Sequence, residues 1–198
     1  MRPMAVDLFF ATAPALYGYQ FGHDRELFNA LIGAAWVLPD NLFSHTATII
    51  AEDGGDLVGM ITGCYGRDFQ PYARALSTIW GDMVARGDVS AERMSVLEQN
   101  APHCSYLTPK VPDNAFYVLG LSVSPGYQGH GVGVRLLHLL TSRVAGEGAT
   151  SLHLDVTSDN PAVRFYSAMG LYCVAETRSP EAHRNGVPMM MRMVKRFD

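Results

Sequence analysis

Basic residues are in short supply in this chain: 15 Lys and Arg stand against 19 Asp and Glu, a formal net charge of −4 over 198 residues. No stretch gathers them into a patch that would neutralise phosphates, so nucleic acid is not an expected partner. Cysteine is scarcer still. Cys64, Cys104 and Cys173 lie far apart, and an odd number without paired spacing makes no disulfide framework. A reducing, cytoplasmic setting fits that usage. The longest apolar run, 30–38, falls short of the roughly 18 residues of a membrane span and has Gly33 inside it. Near the N-terminus Asp7 interrupts the apolar stretch and no cleavage site follows, which is not a secretory pattern. The 7 histidines lack paired ligand spacing, so no metal is expected. The 19 glycines and 11 prolines keep no fixed period, and 48% of residues are hydrophobic, which excludes collagen-like order and disorder.

What is present suits one domain, 1–198, with room for an insertion, since roughly 150 residues is a common domain length. Apolar spacing of three and four predicts helices over 8–19 and 25–38, the second with Leu27, Leu31, Ala34, Ala35 and Leu38 on one face. Two β-rich runs, 46–52 and 57–64, flank Asp53-Gly54-Gly55-Asp56 and predict a hairpin. Helices are expected over 72–86 and 90–99, the latter capped by Ser90. Pro109 and Pro112 then argue for an extended connection.

The second half alternates. A strand over 117–123 is predicted with Tyr117, Leu119, Leu121 and Val123 on one side. A glycine-rich loop follows, then a helix with Leu136, Leu137, Leu140 and Val144 inward, stopped by Gly146 and Gly148. Next come a strand over 151–156, a helix from Pro161 carrying Val163, Tyr166 and Met169 to Gly170, and strands over 171–176 and 189–195 joined by a loop. This order makes an α/β or α+β fold.

The loop Gln128-Gly129-His130-Gly131-Val132-Gly133 carries most of the chemical information. Alternate glycines remove the Cβ atoms that keep a ligand from the backbone, and the helix behind adds a positive dipole end, which suits a phosphate or pyrophosphate. A plainer alternative is that the same glycines serve only a tight strand-to-helix turn. A P-loop would need Lys and Ser or Thr after the last glycine, where Val134 and Arg135 stand. A dinucleotide fingerprint would need glycine at Val134 and a loop tight against its strand.

The run from Leu121 to Gly133 resembles the acetyl-CoA-binding motif of the GCN5-related N-acetyltransferase (GNAT) superfamily, Gln/Arg-x-x-Gly-x-Gly/Ala, with Gln128, Gly131 and Gly133 at its fixed positions. The segments 152–156 and 160–171 are similar to that family's second block, and the likeness extends over 117–176. It implies a central mixed, mainly antiparallel sheet flanked by helices on both faces, and transfer of acetyl from acetyl-CoA to a primary amine by direct attack in a ternary complex. The alternative it leaves open is a CoA-binding or regulatory module without turnover.

The resemblance also implies roles. Backbone groups of Leu121, Ser122 and Val123 would hold the pantetheine arm, in a gap opened by an irregularity near Ser122. N–H groups of Gly129, His130, Gly131, Val132, Gly133 and Val134 would hold the pyrophosphate. Asn160 would contact the arm, or cap the helix after it. Tyr166 would donate the proton to the departing thiolate, unless it is only core. A backbone N–H near Leu121 or Ser122 would polarise the thioester carbonyl.

Two departures follow. Where some members carry Glu this chain has Tyr117, which leaves Asp113, His103, Glu52, His153 or water as bases. Only three residues precede the first apolar stretch in place of the usual first strand, and 66–112 exceeds the usual connection, as a helical insertion forming a lid over the acceptor or a homodimer contact. His103 beside Cys104 is weak support for a nucleophile, and Met189, Met190, Met191 and Met193 read as core filler or a flexible stripe.

Overall fold

Three helices open the chain in a computed structural model that describes residues 2–197: α1 (Arg2–Thr12), α2 (Pro14–Gln20) and α3 (Arg25–Trp36). The helix expected over 8–19 is therefore two. Ala13 leaves helical geometry at φ −153 and ψ 63 because Pro14 disfavours a helical residue before it, while Pro14 itself suits a first turn. Asp24 caps α3, accepting from the Leu27 N–H at 2.8 Å. Leu27, Phe28, Leu31 and Ile32 of that helix are fully buried, each stabilising by about 2 kcal/mol.

The hairpin forms as predicted, β1 (Thr48–Asp53) and β2 (Asp56–Tyr65), turning on Gly54 and Gly55 with positive φ. Two longer helices follow, α4 (Gly66–Ala85) and α5 (Ala91–Ser105), and Ser90 caps the second. Both outrun their expected limits because Pro71 and Pro102 lie inside them. They pack on the N-terminal helices: Trp80 donates its indole N–H to Leu31 O, Asn100 donates to Tyr19 O, and Arg93 grips Asp24 through two 2.8 Å contacts.

The remaining elements are β3 (Phe116–Val123), α6 (Val132–Gly146), β4 (Ser151–Thr157), α7 (Ala162–Ala168), β5 (Tyr172–Thr177), α8 (Pro180–Arg184) and β6 (Met190–Arg196). A short helix, α8, thus replaces the plain loop expected before β6; its Ser179 cap and buried Ala182 hold it. The sheet order is β1-β2-β3-β4-β6-β5, antiparallel except for β3 beside β4. Among the described residues no strand precedes α1, and β1 forms that edge.

Helices cover both faces of the sheet. One core joins α1, α3, α4 and α5 to Leu57 and Met60 of β2. The other joins α6 and α7 to Val118, Leu154 and Met193, and takes in the predicted inward residues Leu136, Leu137, Leu140 and Val144. On β3 the predicted alternation breaks. The β2–β3 register shifts between Thr62 and Gly63, leaving Leu119 as an extra residue. Tyr117 and Leu119 consequently pack toward the α4 side, while Leu121 and Val123 pack with the α6 core. The irregularity expected near Ser122 therefore lies at Leu119. Just beyond, a Cβ on Gly120 would come 2.8 Å from Thr12 Cγ2, so only glycine lets α1 lie this close to β3.

Candidate active site

β3 and β4 pair at Phe116–Leu152, Tyr117–His153 and Val118–Leu154, and then part, although β3 continues to Val123 and β4 to Thr157. The Ser124 N–H donates to Val58 O at 2.9 Å, on the β2 side. Peptide groups alternate sides along a strand, so that of Ser122 faces β2 while those of Leu121 and Val123 face the gap. Ser122 instead contributes its buried side chain to the wall. Gln128 Nε2 donates to the Val123 carbonyl at 2.9 Å, fastening the loop to the strand end.

The loop turns on Gly129 and Gly131, at φ +78 and +77, a region that favours glycine. Gly131 caps α6, whose first hydrogen bond runs from Arg135 N–H to Gly131 O at 3.0 Å. The N–H groups of Gly129, His130, Gly131, Val132, Gly133 and Val134 have no protein acceptor among the described residues. They lie at the positive end of the α6 dipole. His130 Nδ1 sits 2.9 Å from Gln128 O, holding the imidazole along the loop. Gly133 differs from its neighbours: its φ is not positive, and an added Cβ would make only ordinary 3.8 Å contacts with Phe165 and Val123.

A cavity of about 800 Å³ starts at the gap, between Gln128 and Asn160, passes Tyr166, and ends against α1, α2, α4 and α5. The 66–112 segment therefore supplies part of its wall, through residues such as Phe69, Trp80 and Cys104. Asn160 accepts the Ala162 N–H at 2.9 Å through Oδ1, just ahead of the Pro161 N-cap of α7, and its side-chain nitrogen has no protein acceptor among the described residues. Tyr166 is both core and cavity wall. Burial pushes its phenol up to about 12, and its hydroxyl has no protein hydrogen bond among the described residues.

Deeper in, Tyr117 donates its hydroxyl to Asp155 Oδ2 at 2.9 Å, and Arg192 clasps both carboxylate oxygens at 2.7 Å. Arg192 also donates to Pro109 O at 2.7 Å. The ion pair is buried, and Asp155 and Tyr117 line the cavity. Sequence reading passed over Asp155 and Arg192. Their signal was a charged residue set between apolar neighbours inside a strand, Asp155 between Leu154 and Val156 in β4 and Arg192 between Met191 and Met193 in β6.

The named base candidates are not brought to this cavity. His103 Nδ1 is bound to the Tyr19 hydroxyl at 2.8 Å, Glu52 is exposed on the hairpin, and neither these nor Asp113 and His153 line the wall. Cys104 does line it, but burial pushes its thiol up to about 12, which keeps it protonated and a poor nucleophile. Met193 is core, Met191 packs on the same cluster, and Met190 touches the cavity. Among the described residues no three His, Cys, Asp or Glu side chains gather as a metal site, and no helix is long and apolar enough to cross a membrane.

The model of the Acetyltransferase (GNAT) family matches residues 13–171. An L-2,4-diaminobutyric acid acetyltransferase of Nocardia farcinica is 44% identical over 57 residues, 29% of either chain. The chain thus spans under a third of the length of that curated relative. In fold it is similar to a crystal structure described as an acetyltransferase, with TM-score 0.67 and 19% identity, covering 100% of this chain and 95% of that one. It is similar also to an N-acetyltransferase from Staphylococcus aureus Mu50, with TM-score 0.64 and 15% identity over 86% and 81% of the two chains. With a parted parallel strand pair, a glycine loop of free N–H groups and a family match over most of its length, the chain belongs to the GNAT family of acetyltransferases.

Proposed function

We propose that the chain transfers an acetyl group from acetyl-CoA to a primary amine by direct attack within a ternary complex. The observation that carries this reading is the run of unpaired N–H groups over 129–134, at the mouth of a gap that continues to Tyr166. Those N–H groups and the α6 dipole suit a pyrophosphate, with no basic residue required. The peptide groups of Leu121 and Val123 suit a pantetheine arm lying in the gap as an added strand would. Asn160 lines the same cavity and has its side-chain nitrogen free to donate.

At the far end of the arm, the Leu121 N–H is the donor turned toward a thioester carbonyl, in preference to Ser122, whose peptide group faces β2. The amine nitrogen forms a bond to the acetyl carbon as the carbon–sulfur bond breaks. Tyr166 gives its proton to the thiolate, and the proton shed by nitrogen restores the phenol, directly or by way of water. An ammonium entering the apolar cavity loses solvation, which lowers its pKa and supplies the neutral nucleophile without a dedicated carboxylate. Thiol release from acetyl-CoA in the presence of a panel of amines tests the reading. Saturable, amine-dependent release is expected; CoA binding with no release by any amine would defeat it.

A further inference from the structure

Every cation-bearing side chain type is missing from the cavity wall: among the described residues no Lys, Arg or His lines it. Its charged groups are Asp7 and Asp155, and both are already neutralised. Asp7 is paired with Arg25 near the surface, and Asp155 with Arg192 in the interior. The rest of the acceptor end is uncharged, with Leu8, Tyr17, Phe69 and Trp80 as its larger apolar and aromatic walls and neutral polar groups such as Gln20, Gln70, Ser77 and Thr108 between them.

Resting on the acetyl-transfer reading, we propose that the acceptor is a monoamine with an apolar body of aromatic size and no carboxylate. A carboxylate carried into this cavity meets no cation on its wall, so whatever water it sheds there is left uncompensated, which is unfavourable. A polyamine would need free carboxylates for its further charges, and Asp7 and Asp155 are each engaged by an arginine. A single amine on an apolar body meets neither obstacle: its body takes the place of water against Phe69 and Trp80, and its one charge is lost on entry as the nitrogen becomes a nucleophile. A diaminobutyrate-like amino acid is thereby excluded as the preferred acceptor, although the short likeness to a diaminobutyrate acetyltransferase would suggest one.

The test compares 2-phenylethylamine with L-phenylalanine, which adds only a carboxylate, and with L-2,4-diaminobutyrate and spermidine. Acetyl-CoA binding is read first by calorimetry, then binding of each amine to the free and the CoA-loaded protein, then thiol release. The expected result is kcat/KM for 2-phenylethylamine at least about 50-fold above each of the others, with the same order of binding. Ser77→Arg, at an exposed position that tolerates a long side chain, places a guanidinium at the cavity and should narrow the gap to L-phenylalanine about tenfold. Equal or better use of L-phenylalanine, L-2,4-diaminobutyrate or spermidine would overturn the proposal, as would no binding of 2-phenylethylamine to either form. Absence of acetyl-CoA binding would instead remove the acetyl-transfer reading, and the amine titrations on the free protein would still decide the ligand class.

Discussion

The Tyr117 hydroxyl donates to Asp155 Oδ2 at 2.9 Å across the last paired stretch of β3 and β4. Burial and the nearby Asp155 carboxylate raise the phenol well above its ordinary value, so it remains a donor. Arg192 takes both oxygens of the same carboxylate. Tyr117 thus belongs to a closed network in which every partner of the Asp155 carboxylate is already taken up.

Removing the acid from that network leaves a buried guanidinium with no counter-charge. Asp155→Ala should cost about 3–5 kcal/mol, whereas Tyr117→Phe, which leaves the ion pair intact, should cost about 1–2 kcal/mol. Urea unfolding at neutral pH measures both. Equal costs would show that Asp155 and Arg192 are not coupled as the geometry implies.

Tyr166→Phe should lower kcat by about 100-fold with acetyl-CoA affinity changed less than about twofold, because the ring stays and only the proton-donating hydroxyl is lost. Burial pushes this phenol up to about 12, so the group stays protonated throughout the neutral and mildly basic range. The rate of the unmodified enzyme should accordingly show no loss from Tyr166 ionisation as pH rises from 7 to 10. Steady-state kinetics against pH, with calorimetry for the cofactor, decides the matter.

The loop glycines should not be equivalent. Gly131→Ala forces a side chain into φ +77, at roughly 1–2 kcal/mol, and should weaken acetyl-CoA binding as the N–H groups turn away. Gly133→Ala meets only contacts at 3.8 Å and should leave both stability and affinity nearly unchanged. Paired titrations of the two variants with acetyl-CoA are the measurement.

His153 makes stability depend on mild acid. Burial first, and Arg192 second, hold its imidazole down to about 4, while Nδ1 is buried without a partner among the described residues and Nε2 lies 3.0 Å from Ser151 Oγ. The unfolded chain takes up this proton near 6.5 and the folded chain only near 4, so the contribution is complete above that upper value and drains away as pH falls toward the lower. The ring is half-buried and partly screened, which reduces the expected loss to about 1–2 kcal/mol. His153→Leu should flatten that slope between pH 6.5 and 4.5 in urea titrations.

Much of the architecture is local enough to read directly. The Asp53–Asp56 turn, the Ser90 cap, the inward face of α6 and the positive-φ glycines before it all follow from propensities acting over a few residues, and the loop of Gln128, Gly131 and Gly133 together with the second block over 152–171 pointed to the family. Prolines misled where local rules meet packing: Pro14 splits one expected helix, while Pro71 and Pro102 are absorbed inside two others.

Only the tertiary structure decided the rest. Strand register determined that Leu119 is the extra residue, and so which side chains of β3 face which layer. Packing of α1, α4 and α5 over the sheet gave the cavity its cation-free wall. Asp155 and Arg192, 37 positions apart, meet because β4 and β6 are neighbours. Short-range periodicity tells a residue's element and face; which distant charge it meets depends on strand order and register, where a shift of one residue moves every side chain to the other face.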